Sequence, residues 1–143
     1  LVFDYESLSF PPQNGNMNWV LILLLSLFGI LIGTLSVLGF TKKAEPILWL
    51  VVGVFTAFMI SRRASGMIFW YGFIIGILWG CFSAMIQSMF FETYLKNNPK
   101  YAEAFSKSSR FKPRYLILLV GPMLGLLTGT VLGGLAWFFQ KVF

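Results

Sequence analysis

The run from 115 to 139 reads Tyr115-Leu-Ile-Leu-Leu-Val-Gly121-Pro-Met-Leu-Gly125-Leu-Leu-Thr-Gly129-Thr-Val-Leu-Gly133-Gly-Leu-Ala-Trp137-Phe-Phe139. It holds no charged residue and places glycine at every fourth position from Gly121 to Gly133. An apolar stretch longer than about 20 residues matches a bilayer core when helical. Glycines at i, i+4 let another helix backbone come close in lipid, where van der Waals contact drives association. Each step of four advances the row by about 40° around the helix, so the row spirals and its partner must cross at an angle.

The rest of the chain has the same character. With 57% hydrophobic and 11% charged residues in 143, it sits far from the soluble average of roughly 25% charged. The sequence therefore predicts an all-α integral membrane protein, a four-helix transmembrane bundle with glycine and small-residue packing rows. Residues 1–18 read as a polar N-terminal tail without Lys or Arg. Residues 19–143 form the membrane domain, with spans near 19–40, 46–63, 67–91 and 115–139 and a surface loop over 92–114.

Span one carries the pair Gly29 and Gly33. Span three carries Gly72, Gly76, Gly80, Ala84 and Ser88 at spacing four, which makes it a counterpart of the Gly121, Gly125, Gly129, Gly133 row. The second span has a weaker row, Gly53, Ala57 and Ser61. Its uninterrupted apolar run, Ile47 to Ile60, falls in the length class shared by spans and re-entrant segments. Trp49 at its start and Arg62 and Arg63 at its end favour a full crossing, with the guanidinium groups snorkelling to headgroups.

The loop holds Lys107, Arg110, Lys112 and Arg114, candidates for lipid-headgroup contact that also serve simple orientation. Asn98-Pro99 reads as a helix start, with Asn as cap and Pro first. Tyr101, Ala102 and Phe105 then share one side, fitting either a short surface amphipathic helix or a solvated loop. The connections at 41–46 and 92–114 fall on one side of the membrane and hold eight of the eleven Lys and Arg residues. A basic excess belongs in the cytoplasm, which puts both termini outside it.

Chemistry is sparse. The chain has no His, which excludes imidazole-based acid–base catalysis and the usual zinc sets. Its five carboxylates, Asp4, Glu6, Glu45, Glu92 and Glu103, all fall outside the spans, unlike those of ion-coupled transporters. One cysteine, Cys81, excludes an internal disulfide. Gln87, Ser88 and Glu92 form the densest polar group near the bilayer, readable as a polar pocket or as helix–helix glue, with Glu92 pairing to Lys42, Lys43 or Arg114. Ser26, Thr34, Ser36, Thr56, Thr128 and Thr130 read as glue. No catalytic, cofactor or metal site is predicted. The expected partners are membrane lipids and other membrane subunits or a second copy of the chain, and not nucleic acid.

The run from Ser61-Arg62-Arg63 through Gly66, Phe73 and Gly76 to Tyr94, Asn98-Pro99 and Tyr101 resembles the central part of a family of small, four-span bacterial membrane proteins of uncharacterised function. The resemblance covers roughly 40 of 143 residues. It implies a four-helix bacterial inner-membrane fold and carries no functional residues over. The expected function is a non-enzymatic accessory or assembly subunit of a larger bacterial membrane complex. The alternative is a homo-oligomeric channel or carrier for a small neutral solute or lipid, and a lipid-headgroup enzyme is a distant third.

Overall fold

The structure is a computed structural model and describes residues 16–107, 110 and 112–143. The polar tail read over 1–18 therefore lies, up to residue 15, outside the described residues. The elements are α1 (Trp19–Val37), a 3-10 turn (Lys42–Ala44), α2 (Glu45–Arg63), α3 (Ile68–Met89), α4 (Phe91–Asn97), α5 (Pro99–Ser106) and α6 (Pro113–Val142). There is no strand among the described residues. Helices α1, α2, α3 and α6 are long and apolar enough to cross a membrane, consistent with a multi-pass membrane protein.

Where the helices begin and end follows from local chemistry. Helix α1 stops at Val37, three residues short of the expected end. Gly39 takes φ +75°, and Phe40 N–H donates to the Leu35 carbonyl while Gly39 N–H donates to that of Ser36. This paired closure needs a residue that tolerates the left-handed region, and glycine supplies it. Helix α2 is one uninterrupted helix of 19 residues with Pro46 in its first turn and Arg62 and Arg63 in its last. Proline loses nothing where N–H groups are free, and the cations complement the terminal carbonyls. Helix α6 has 30 residues, about 45 Å of helix, longer than a roughly 30 Å hydrocarbon core.

The stretch expected as a loop over 92–114 is mostly helical. Helix α3 ends where Phe90 leaves helical geometry at φ −106°, ψ 41°. Helix α4 then restarts in a new direction, and α5 follows it with Pro99 first. Asn98 stands at the expected cap position, but its side chain makes no cap bond to α5. It donates instead to the carbonyls of Ser36 and Tyr94, each at 2.9 Å. Asn97 Nδ2 donates to the Val37 carbonyl at 2.8 Å. Asn97 at the end of α4 and Asn98 just after it thus reach the last carbonyls of α1, giving that of Val37 a side-chain donor and that of Ser36 a second donor beside Gly39 N–H.

Helix α3 is central. Its largest interface is with α6, its next with α1, and α2 lies mainly against α6. The glycines of α3 and α6 face one another in antiparallel order. A Cβ built on Gly72 would lie 2.4 Å from the Gly133 nitrogen, one on Gly76 2.2 Å from the Gly129 Cα, and one on Gly80 2.8 Å from the Gly125 Cα. One on Gly121 would lie 2.2 Å from the Ala84 Cβ. The close approach runs from Gly72 to Ala84 on α3 and from Gly121 to Gly133 on α6, about 18 Å of each helix. Gly29 and Gly33 do not join this line. They lie against Trp79 and Ser83, with Cβ positions 2.7 and 2.9 Å from those residues' Cα atoms. Gly53 has open space around it.

Two apolar clusters result. The larger contains Ile22, Leu25, Ile60, Ile75 and Trp79. The smaller gathers Val37, Ala84, Tyr94 and Ile117, with Phe91 and Phe105 packed on it.

Candidate functional site

The buried residues of α2 are Thr56, Ala57 and Ile60, all in its second half. Its first turns contribute Glu45 and Trp49 to the wall of a cleft of about 430 Å³ instead. Helix α3 supplies the wall from Trp79 to Gln87, α6 that from Leu116 to Thr128, and Tyr94, Tyr101 and Phe105 close the end formed by α4 and α5. Along α6 the cleft runs from Leu116 to Thr128, about 18 Å of rise. Gly80, Gly121 and Gly125 line it too, so the close α3/α6 approach forms one of its walls.

The far end is set by two indole rings. Trp49 and Trp79 have centroids 5.4 Å apart, and Trp79 Nε1 donates to the Leu25 carbonyl at 2.9 Å. The backbone of α1 can approach the Trp79 side chain this closely because Gly29 has no Cβ. One turn on, Ser83 Oγ donates to the Gly29 carbonyl at 2.9 Å. Gln87 Nε2 donates to Ser36 Oγ at 3.4 Å. These bonds fix the α3 side of the cleft to α1. Interhelical bonds of this type average about 0.6 kcal/mol in membranes, so they add orientation more than energy.

The opposite end is aromatic. Tyr94 and Tyr101 stack with centroids 5.8 Å apart, and Phe105 packs edge-on against Phe91 at 6.2 Å. The apolar side of α5 read from Tyr101, Ala102 and Phe105 therefore rests in part on α4 and the cleft. Glu45 is the one charged side chain among the described lining residues. It is half-buried, and it accepts a hydrogen bond from Thr41 Oγ1 at 3.3 Å. Burial pushes the Tyr94 phenol above its ordinary range, and Tyr101 and the Glu45 carboxylate push it in the same direction. Tyr94 is consequently a neutral hydroxyl at physiological pH.

Of the residues read as a polar pocket, the structure brings only Gln87 to the cleft. Ser88 is buried but off the lining, and Glu92 is exposed. The break at Phe90 explains this, because Glu92 belongs to α4 and no longer stands one helical turn beyond Ser88. Glu92 forms no ion pair with Lys43 or Arg114. The one ion pair among the described residues joins Glu103 and Lys107 at 3.4 Å on the surface. Lys107, Arg110, Lys112 and Arg114 are exposed, and none lines the cleft. Cys81 is a free, half-buried thiol. Among the described residues no three His, Cys, Asp or Glu side chains converge as metal ligands.

Sequence reasoning missed Glu45, Trp49, Trp79 and Ser83 as lining residues. The available signal was one-sided: Glu45 opens a span, and Trp49 and Trp79 lie inside spans, where an indole N–H needs a partner. Nothing along the chain says that the two rings meet. Compared with family models, with curated proteins and with solved structures, the chain matches none.

Proposed function

We propose that the chain is a non-enzymatic, multi-pass membrane protein, a four-helix bundle that holds a small solute or a lipid in the cleft between α2, α3 and α6 as a carrier or channel. The cleft is the observation that supports this reading. It combines apolar walls with a few convergent polar groups, which is the usual composition of a small-molecule site. It runs from the α4/α5 end about 18 Å along α6, far enough to approach the middle of the apolar helices. Reconstitution into liposomes tests it: glycerol-driven swelling, or dithionite-accessible scrambling of a fluorescent phosphatidylethanolamine, is expected to exceed that of empty liposomes. Thr128→Trp, which fills the cleft, is expected to remove the excess. Rates equal to protein-free liposomes in both assays would overturn the reading.

A second reading, an accessory or assembly subunit of a larger bacterial membrane complex, is supported by α2. Its outer face exposes Leu50, Val51, Val54 and Phe55, and Gly53 opens a gap among them. A partner helix would fit there as well as lipid does. The α3/α6 glycines no longer argue for that partner, because they are occupied by one another within the chain. Extraction from native membranes as a lone monomer would dispose of this second reading. A bacterial inner-membrane location follows from the family resemblance, and termini outside the cytoplasm follow from the eight basic residues beside the α1/α2 and α3/α6 connections.

A further inference from the structure

We propose that the ligand of this cleft is an amphipathic organic cation, its charged group held between the Glu45 carboxylate and the rings of Tyr94 and Tyr101 at the α4/α5 end. The inference rests on the cleft being a binding site. It adds the sign and class of what binds.

Charge is the first argument. Glu45 is half-buried and is the one charged group among the described lining residues. In a chain of net charge +6, the cleft is thus lined by the minority sign. The basic residues of the α5/α6 connection are exposed and off the wall. An anion entering would meet a carboxylate and no Lys or Arg among the described lining residues. The aromatic rings supply the second argument. A cation over a Trp or Tyr face is attracted by the ring quadrupole, more strongly where water is excluded. Two ring pairs, Trp49 with Trp79 and Tyr94 with Tyr101, stand at opposite ends of the wall. Tyr94 lies close enough to Glu45 to feel its charge, and it stays neutral, so it adds a π face without adding repulsion. The aliphatic stretch between, Leu116, Ile117, Val120 and Leu124, suits the apolar remainder of the ligand.

Glu45 also sits in the first turn of α2, where a carboxylate complements the helix dipole. A purely structural carboxylate would leave ligand binding unchanged on conversion to Gln, and the test uses this. Purified protein in dodecylmaltoside is equilibrated with tetraphenylphosphonium or with tetraphenylborate, ions of the same shape and opposite charge. Saturable binding is expected for the phosphonium and not for the borate. Glu45→Gln is expected to weaken phosphonium binding by roughly tenfold or more, and Tyr101→Leu by about threefold to tenfold. Tyr101 is a mouth residue with 47% exposure, so its variant reports on the ring even where Glu45→Gln folds poorly. Equal binding of both ions with no effect of Glu45→Gln, or preference for the borate, overturns the cation assignment while leaving the cleft as a site. Saturable binding of neither ion overturns the cleft reading itself. An ammonium-bearing lipid and a free organic cation share this chemistry. Displacement of the phosphonium by phosphatidylethanolamine names the lipid as source, no displacement by lipid names a free cation, and displacement by phosphatidylglycerol alone overturns the assignment.

Discussion

A Cβ added to Gly76 would meet the Gly129 Cα at 2.2 Å, whereas one added to Gly53 would meet nothing within 4 Å. The two glycines share a residue type and a helical backbone, so replacing each with alanine separates intrinsic preference from packing. Alanine in a helix interior is favoured over glycine by about 0.5–1 kcal/mol. Overpacking a tight contact costs about 1–3 kcal/mol. Gly53→Ala is therefore expected to raise the thermal midpoint in mild detergent, and Gly76→Ala to lower it by the equivalent of about 1–2 kcal/mol. Equal midpoints for both variants would mean that Gly76 faces lipid rather than α6. Thr56 makes the converse case. Its side chain is fully buried, and its hydroxyl has no hydrogen-bond partner among the described residues. The hydroxyls of Ser26, Thr34 and Thr130 each donate to the carbonyl four residues back. An orphaned buried hydroxyl costs about 1–3 kcal/mol, so Thr56→Val, nearly the same shape, is expected to stabilise by about 1 kcal/mol. A lower midpoint for Thr56→Val would show that the hydroxyl has a partner.

At the scale of elements, α4 holds the end of α1. The bonds from Asn97 and Asn98 reach carbonyls of residues 36 and 37 across the α3/α4 break. Asn98 is buried, so its amide cannot trade these partners for water. Aspartate has the shape of asparagine but only accepts hydrogen bonds. Asn98→Asp places oxygen against oxygen and is expected to destabilise by at least about 2 kcal/mol, more than Asn98→Ala. Amide hydrogen exchange across residues 33–41 should quicken in both variants, and unchanged exchange in Asn98→Asp would rule out the latch. This element also shows where sequence reading stops. Asn98-Pro99 announces a helix start, and Pro99 does begin α5. The destination of the asparagine amide, the Ser36 carbonyl 62 residues away, depends on where α1 ends, and no local pattern carries that. Gly39 is different, because its meaning as a helix stop is local. Hydropathy alone carries span one through it to Phe40, whereas the left-handed Gly39 stops the helix at Val37. The break at Phe90 has no such marker, since an aromatic in an apolar run looks like more helix.

For the whole molecule, hydropathy alone makes four long apolar helices legible, because each is a local property of about 20 residues. The spacing of Gly72, Gly76 and Gly80 is equally visible along the chain, but the identity of the helix lying against it is not. Nor is the cleft, whose wall takes Glu45 and Trp49 from the first turns of α2 while the buried residues of that helix, Thr56, Ala57 and Ile60, lie in its second half. The same four helices fix an alternation of sides that can be tested without knowing any ligand. If each crosses, Ser65 between α2 and α3 and Glu103 on α5 lie on opposite faces, and the basic excess around α5 predicts that Glu103 is on the cytoplasmic one. Both residues are exposed, so cysteine is tolerated at either. In a Cys81→Ser background, Ser65→Cys is expected to react with a membrane-impermeant maleimide in spheroplasts, and Glu103→Cys only after permeabilisation. The reverse pattern keeps four crossings and inverts the orientation, placing the mouth of the cleft outside the cytoplasm. Labelling of both in intact spheroplasts would mean that α3 does not cross. In that case the α3/α6 contact would have to form outside the bilayer, where exposed Leu119, Met123, Leu127 and Val131 on α6 would face water, a cost of about 25 cal/mol per Å² of apolar surface that lipid removes.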